Sequence, residues 1–138
     1  MRKVGAEFGT TTGRPRRCGW LDIPILKYAV QINSLSSLVL TKLDVLSGFE
    51  TIKVCTGYDY LGEHYDIFPP HQTILHKCTP VYQEFPGWKS DISQARVIED
   101  LPKEAREYVR FIEKMAGIPA EIISVGPARK QTISCGRI

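Results

Sequence analysis

Residues 101–127 decide the fold: Leu101-Pro102-Lys103-Glu104-Ala105-Arg106-Glu107-Tyr108-Val109-Arg110-Phe111-Ile112-Glu113-Lys114-Met115-Ala116-Gly117-Ile118-Pro119-Ala120-Glu121-Ile122-Ile123-Ser124-Val125-Gly126-Pro127. Ala105, Tyr108, Val109, Ile112, Met115 and Ala116 recur at i, i+3, i+4, i+7, i+10 and i+11, which is one face of a helix over residues 102–116. Pro102 suits its first turn, Gly117 a left-handed stop, and Pro119 bars continuation. The next five residues, 120–124, predict a strand, and Val125-Gly126-Pro127 predicts the turn that ends it.

The same grammar extends upstream. Asp22 is placed to cap a helix whose Ile25, Leu26, Ala29, Val30 and Ile32 would form a buried stripe, closed by Asn33 and Ser34. Residues 37–41, Ser-Leu-Val-Leu-Thr, predict a short strand buried on both faces, with Lys42-Leu43-Asp44 at its C-terminal end. From Glu50, Ile52, Val54 and Thr56 alternate with Thr51, Lys53 and Cys55. Tyr58, Tyr60 and a Leu61-Gly62 turn follow, so residues 63–67 return as the second half of a hairpin. Pro69, Pro70 and Pro80 mark residues 68–80 as a surface connection, and residues 81–85 predict another strand, stopped by Pro86-Gly87. Helices alternating with buried strands predict an α/β sheet with a small antiparallel hairpin region.

A chain of 138 residues makes one domain or one piece of a larger one, and its 43% hydrophobic and 24% charged residues are an ordinary globular mixture. No apolar run reaches membrane-spanning length and no secretion signal opens the chain, so no membrane partner is predicted. Cys18, Cys55, Cys78 and Cys135 form no CxxC pair, which predicts reduced thiols, a cytoplasmic setting and no metal site. His64, His71 and His76 read as surface or loop residues. The net charge of +3 is local: residues 1–17 carry Arg2, Lys3, Arg14, Arg16 and Arg17 against Glu7. A nucleic-acid binder spreads its basic residues over a whole face, so no nucleic-acid partner is predicted; the arginines are gathered as if for one compact anion.

Three segments carry chemistry. Residues 1–20 read as a loop in which Gly9-Thr10-Thr11-Thr12-Gly13-Arg14-Pro15-Arg16-Arg17 sets three hydroxyls between two glycines. Gly9 and Gly13 allow positive φ angles that turn N–H groups toward one point, and the guanidinium forks suit carboxylate or phosphate. The plain alternative is a basic surface turn. At the mouth of the strand over residues 37–41, the Asp44 carboxylate can accept from both N1–H and the exocyclic amine of guanine. Adenine would oppose it with a lone pair at N1. Lys42 can lay its methylene stem along such a base with its ammonium in solvent. The alternative is an Asp that merely caps a helix. Ser124-Val125-Gly126-Pro127 ends a second strand and can offer backbone N–H groups to a base carbonyl, and ligands of open α/β sheets bind at such strand ends.

Taken together these residues resemble the adenylosuccinate synthetase family. Residues 9–22, Gly-Thr-Thr-Thr-Gly-Arg-Pro-Arg-Arg-Cys-Gly-Trp-Leu-Asp, are similar to its aspartate-loop signature. Thr41-Lys42-Leu43-Asp44-Val45-Leu46 and Ser124-Val125-Gly126-Pro127 resemble its guanine-recognition segments. Asn33-Ser34-Leu35-Ser36, Pro86-Gly87-Trp88, Leu101-Pro102 and Gly117-Ile118-Pro119 agree in context. The resemblance implies GTP-dependent joining of IMP and L-aspartate to give adenylosuccinate, GDP and phosphate, in purine nucleotide biosynthesis. It implies that residues 1–20 form the aspartate-binding loop and residues 21–138 a guanine-binding α/β part, together the C-terminal portion of a mostly parallel, P-loop-NTPase-like enzyme.

By residue, Thr10, Thr11, Thr12, Gly13, Arg14, Pro15 and Arg16 would close on L-aspartate. Arg14 would also reach IMP and Arg16 the GTP side, while Lys42, Leu43, Asp44, Ser124, Val125 and Gly126 would hold the guanine. Arg17 has no implied role beyond surface solvation. The family's glycine-rich phosphate loop, catalytic aspartate and histidine, and Mg2+ ligands have no counterpart among these residues. The chain is therefore expected to be inactive alone, to need the N-terminal part of the enzyme, and to join a homodimer when complete. The competing reading is an isolated, non-catalytic guanine-nucleotide-binding module.

Overall fold

Two small mixed sheets share one apolar core in the computed structural model, which describes residues 1–136. In chain order the elements are β1 (Leu21–Asp22), α1 (Ile23–Asn33), β2 (Leu38–Leu40), β3 (Thr51–Tyr60), β4 (Glu63–Tyr65), α2 (Gln72–Lys77), β5 (Thr79–Pro86), α3 (Lys103–Ala116), β6 (Ala120–Ser124) and β7 (Thr132–Ser134). Short 3-10 turns occupy Leu43–Leu46 and Ile98–Asp100.

The expected helix over residues 102–116 is α3. Pro102 stands at its N-cap, Gly117 stops it at φ 75°, and Ala105, Tyr108, Val109, Ile112 and Ala116 are its buried face. That face meets Ile23, Ile52, Val54, Ile123 and Ile133, all fully buried. Each such side chain contributes about 1.5–3 kcal/mol by leaving water. Asp22 caps α1 as expected, its Oδ1 accepting from the Ile25 N–H at 3.0 Å.

The sheets are mixed, which corrects the mostly parallel arrangement expected for this portion. β1 runs parallel to β3 and β2 parallel to β6, but β4 and β5 are antiparallel to β3, and β7 to β6. Loop length is the reason. The Leu61-Gly62 turn, with φ of 52° and 84°, can return the chain only antiparallel, because a parallel crossover takes a dozen or more residues. β2 is not buried on both faces either. It is an edge strand with Leu38 turned to the core and Val39 59% exposed. The α1 stripe is likewise incomplete: Leu26 and Val30 pack against the core, whereas Ile25 and Ile32 are exposed. Residues 68–80 contain α2 as well as connection, and β5 begins at Thr79, two residues before the expected strand.

Trp88 locks the segment after the first 3-10 turn to the core. Its ring is buried, its Nε1–H donates to Ser47 Oγ at 3.0 Å, and its carbonyl accepts from the Gly48 N–H at 2.8 Å. Beside it, a Cβ on Gly87 would sit 1.9 Å from the Phe49 carbonyl oxygen, an obstacle of backbone rather than of yielding side chain. Gly87→Ala is therefore expected to destabilise by about 3 kcal/mol, the upper end for overpacking. Gly19→Ala, where a Cβ meets open space, is the neutral control. Thermal unfolding of the two variants checks this; equal midpoints would contradict the close approach.

Candidate functional site

The parallel pairing of β2 with β6 builds the site. Leu40 lies opposite Ile123, so the two strands deliver Thr41-Lys42 and Ser124-Val125 side by side at their C-terminal ends. Lys42 then adopts φ 61°, ψ 35°, a left-handed conformation that costs a non-glycine residue about 1–2 kcal/mol. This reversal sends the chain into the 3-10 turn, with Leu43 in the core and Asp44 half-buried on the outside. A cavity of about 350 Å³ opens there, lined among others by Gly5, Lys42, Asp44, Ser124 and Gly126. The structure thus brings together Lys42 and Asp44 with Ser124 and Gly126 around one space.

Asp44 is not the cap of this turn. Lys42 holds the N-cap position, without a side-chain capping bond, and among the described residues no hydrogen bond reaches the Asp44 carboxylate. A half-buried carboxylate on a cavity wall without a protein partner is available to a ligand's donors. Leu43, only 3% exposed, can contribute main-chain atoms alone.

The second turn is braced from within. Ser124 Oγ donates to the Gly126 carbonyl at 2.9 Å, and the Val125 N–H donates to the Gln131 carbonyl at 2.9 Å. Val125 is fully buried, so its amide and side chain are both committed to the protein. Gly126 lies so close to the Gln131 side chain that an added Cβ would fall 2.4 Å from it. Gln131 Oε1 accepts from the Ala128 N–H at 2.9 Å, and its Nε2 donates to the Ser93 carbonyl at 3.4 Å. Sequence reasoning missed Gln131; no local pattern marks it, because its role arises only when β7 folds back on β6. Asp44, Val125 and Gly126 also border a neighbouring cavity of about 380 Å³ that includes Lys89 and Ser93.

Residues 8–15 form the tip of a small hairpin, with Phe8 bridged antiparallel to Pro15. The Gly9 N–H donates to the Arg14 carbonyl and the Gly13 N–H to the Gly9 carbonyl, each at 2.8 Å. Two amides expected to converge on an anion therefore close the turn instead. Gly13 does use φ 62°, whereas Gly9 is needed for close approach: a Cβ there would lie 2.8 Å from Thr12 Oγ1. Thr10, Thr11, Thr12, Gly13, Arg14, Pro15 and Arg16 are all exposed at this tip, and among the described residues Arg14 makes no ion pair.

Both ends of the loop are fastened. At its start, Glu7 Oε2 pairs with Arg16 at 3.3 Å and Glu7 Oε1 with the Lys42 ammonium, which also donates to the Gly5 carbonyl at 2.8 Å. The Lys42 ammonium, on a half-exposed side chain, is thus tied to two protein acceptors. Its hydrogen bond holds the Glu7 carboxyl below the usual carboxylate range. At the far end, Asp22 Oδ2 accepts from the Tyr58 hydroxyl at 2.6 Å. Burial first, and then this bond to Asp22, push the Tyr58 phenol well above its ordinary value. Burial also pushes the nearby Cys55 thiol up to about 11, so it is held as an inert thiol. The four cysteines are free. Between loop and α1 lies a cavity of about 660 Å³, bordered by Glu7, Arg17, Trp20, Asp22, Ile25 and Lys42; Arg17 stands on its rim rather than merely in solvent.

Among the described residues no three His, Cys, Asp or Glu side chains gather as metal ligands. No helix among them is long and apolar enough to cross a membrane.

Paired parallel strand ends carrying polar turns around one cavity define the class: an α/β fold that presents its loops to a small ligand at the carboxyl edge of its strands. A sequence model of the family described as adenylosuccinate synthetase matches residues 1–133. The adenylosuccinate synthetase of Geotalea daltonii is 56% identical over 133 residues, 96% of this chain and 31% of the relative. That of Syntrophomonas wolfei is 58% identical over the same shares. The solved structure of a fully ligated adenylosuccinate synthetase from Plasmodium falciparum superposes with a TM-score of 0.92 at 46% identity, covering 98% of this chain and 33% of that one. The chain belongs to the adenylosuccinate synthetase family. It spans about a third of the length of the curated relatives it matches.

Proposed function

We propose that this chain supplies the L-aspartate loop and the guanine pocket for GTP-dependent ligation of IMP and L-aspartate to adenylosuccinate. The observation that carries the reading is the Asp44 carboxylate, half-buried and, among the described residues, without a protein donor, on a cavity shared with Lys42, Ser124 and Gly126. Two parallel donors on one base edge match a carboxylate, and guanine has them where adenine has an acceptor. Lys42 covers the base with its stem, because Gly5 and Glu7 hold its ammonium aside. Ser124 and the main chain around Gly126 border the same cavity, braced by Gln131.

In the reaction so read, the GTP γ-phosphoryl group passes to O6 of IMP, turning a carbonyl oxygen into a leaving group. The aspartate amine then attacks C6 and phosphate departs. This chain acts by placing reactants. Thr10, Thr11, Thr12, Gly13, Arg14, Pro15 and Arg16 close on L-aspartate, Arg14 also facing IMP and Arg16 the GTP side. Restricting reactants in this way is a main source of rate in phosphoryl and group transfer. The phosphate loop, proton-transfer residues and Mg2+ ligands belong to the N-terminal part of a P-loop-NTPase-like enzyme, read as a cytoplasmic homodimer. The 138-residue chain alone is expected to recognise guanine nucleotide without turning it over.

The test is nucleotide choice in the complete enzyme carrying these residues. GDP release that depends on both IMP and aspartate, with ATP a poor substitute for GTP, is the expected result. Calorimetric titration with GDP and ADP gives a second readout, and equal affinities would remove the guanine assignment.

A further inference from the structure

Glu7 was not among the residues singled out for binding, yet it stands where the two proposed binding segments meet. Its two carboxylate oxygens are divided between them: Oε2 takes Arg16 from the loop, and Oε1 takes Lys42 from the end of β2. The main chain repeats the connection. The Arg16 N–H donates to the Glu7 carbonyl at 2.9 Å, and Lys42 donates to the carbonyl of Gly5, two residues before Glu7. Lys42 borders both the 350 Å³ cavity and the 660 Å³ cavity, and Glu7 lies on the wall of the larger.

We propose that Glu7 is a positioning residue that yokes the threonine-and-arginine loop to the guanine-side strand end, so that nucleotide and L-aspartate sites are set by one carboxylate. This rests on the functional reading given above. An isolated surface ion pair would be worth little and would serve neither segment in particular. Here the carboxylate side chain is only 23% exposed, bridges two cations from distant parts of the chain, and is backed by the main-chain bond from Arg16 and by the Lys42 ammonium's bond to the Gly5 carbonyl. It does two things at once. Together with the Gly5 carbonyl it fixes the position of the Lys42 ammonium, and it fixes the root of the Arg16 side of the hairpin. Neutralising it leaves Lys42 with the Gly5 carbonyl as its remaining anchor and unpins the Arg16 side of the loop.

Glu7→Gln keeps the size of the side chain and removes its charge. In the complete enzyme it is expected to raise KM for GTP and KM for L-aspartate each by about tenfold, the scale of one charge-assisted hydrogen bond. The KM for IMP and the thermal midpoint should stay essentially unchanged. Glu7→Asp, which restores charge on a shorter arm, should recover part of both. A purely structural role would instead lower the thermal midpoint without separating GTP and L-aspartate from IMP, and that pattern would overturn the proposal. Asp44→Asn is measured in parallel. If it weakens GTP use while Glu7→Gln leaves both KM values alone, the yoke is wrong and the guanine pocket stands. If neither substitution moves KM for GTP, the pocket reading falls and takes the yoke with it.

Discussion

Asp44→Ala in the complete enzyme is expected to raise KM for GTP and to cut the preference for GTP over ATP by about a hundredfold or more, as loss of two charge-assisted hydrogen bonds to one base edge implies. The loss is one of discrimination as well as of affinity. With the carboxylate present, adenine must place a lone pair against a negative oxygen in a part-enclosed cavity; with alanine, neither base meets repulsion and neither gains donors' partners. The fold should not suffer. Among the described residues no protein group bonds to the Asp44 side chain, so truncation orphans nothing, and Leu43 and Val45 on either side remain in the core. Asp44→Asn should fall between, since its carbonyl still accepts one bond while its amide opposes the other donor. Steady-state rates with GTP and ATP measure the ratio. An unaltered ratio in Asp44→Ala would mean that the carboxylate does not read the base.

The contrast between Asp44 and its surroundings explains which parts of the site are legible in sequence. Asp44 and Ser124 stand just beyond short apolar runs, and strand ends are where α/β folds place ligands, so a local pattern suffices to nominate them. That they face the same cavity follows from the Leu40–Ile123 register, a pairing between distant segments that no window of sequence contains. Gln131 and Glu7 are invisible for the same reason. Each acts on a partner reached only through tertiary structure, Gln131 on the 124–128 turn and Glu7 on Lys42.

The elements divide along similar lines. α3 is legible because fourteen residues repeat one face and end in Gly117, and the β3–β4 hairpin because β3 alternates and Gly62 suits the positive φ of its turn. α2, with six residues and none buried, carries no amphipathic signal, and β7, with three, is held mainly by its partner β6. Val39 was expected inside because Leu-Val-Leu is apolar throughout. In the structure only alternate positions of β2 reach the core, and hydrophobicity of a run cannot tell which of its faces is covered.

Arg14→Leu carries the second large effect, and it should be confined to L-aspartate and IMP. Arg14 is exposed at the hairpin tip and, among the described residues, pairs with no acidic group, so its guanidinium is free to form a planar, two-pronged contact with a carboxylate. Removing that contact should raise KM for L-aspartate by roughly 10–150-fold, corresponding to about 1.5–3 kcal/mol for a hydrogen bond to a charged group. The loop itself should keep its shape, because the hairpin is closed by main-chain bonds between Gly9 and Arg14 and between Gly9 and Gly13, and by the Phe8–Pro15 bridge. KM for GTP should hardly change, since Arg16 and Lys42 remain on Glu7. Arg14→Lys should restore only part of the loss: the charge returns, but not the paired N–H geometry. Initial rates at varied L-aspartate with the other substrates saturating measure the effect. Wild-type aspartate kinetics in Arg14→Leu would take the loop out of amino-acid recognition and leave its arginines to the nucleotides alone.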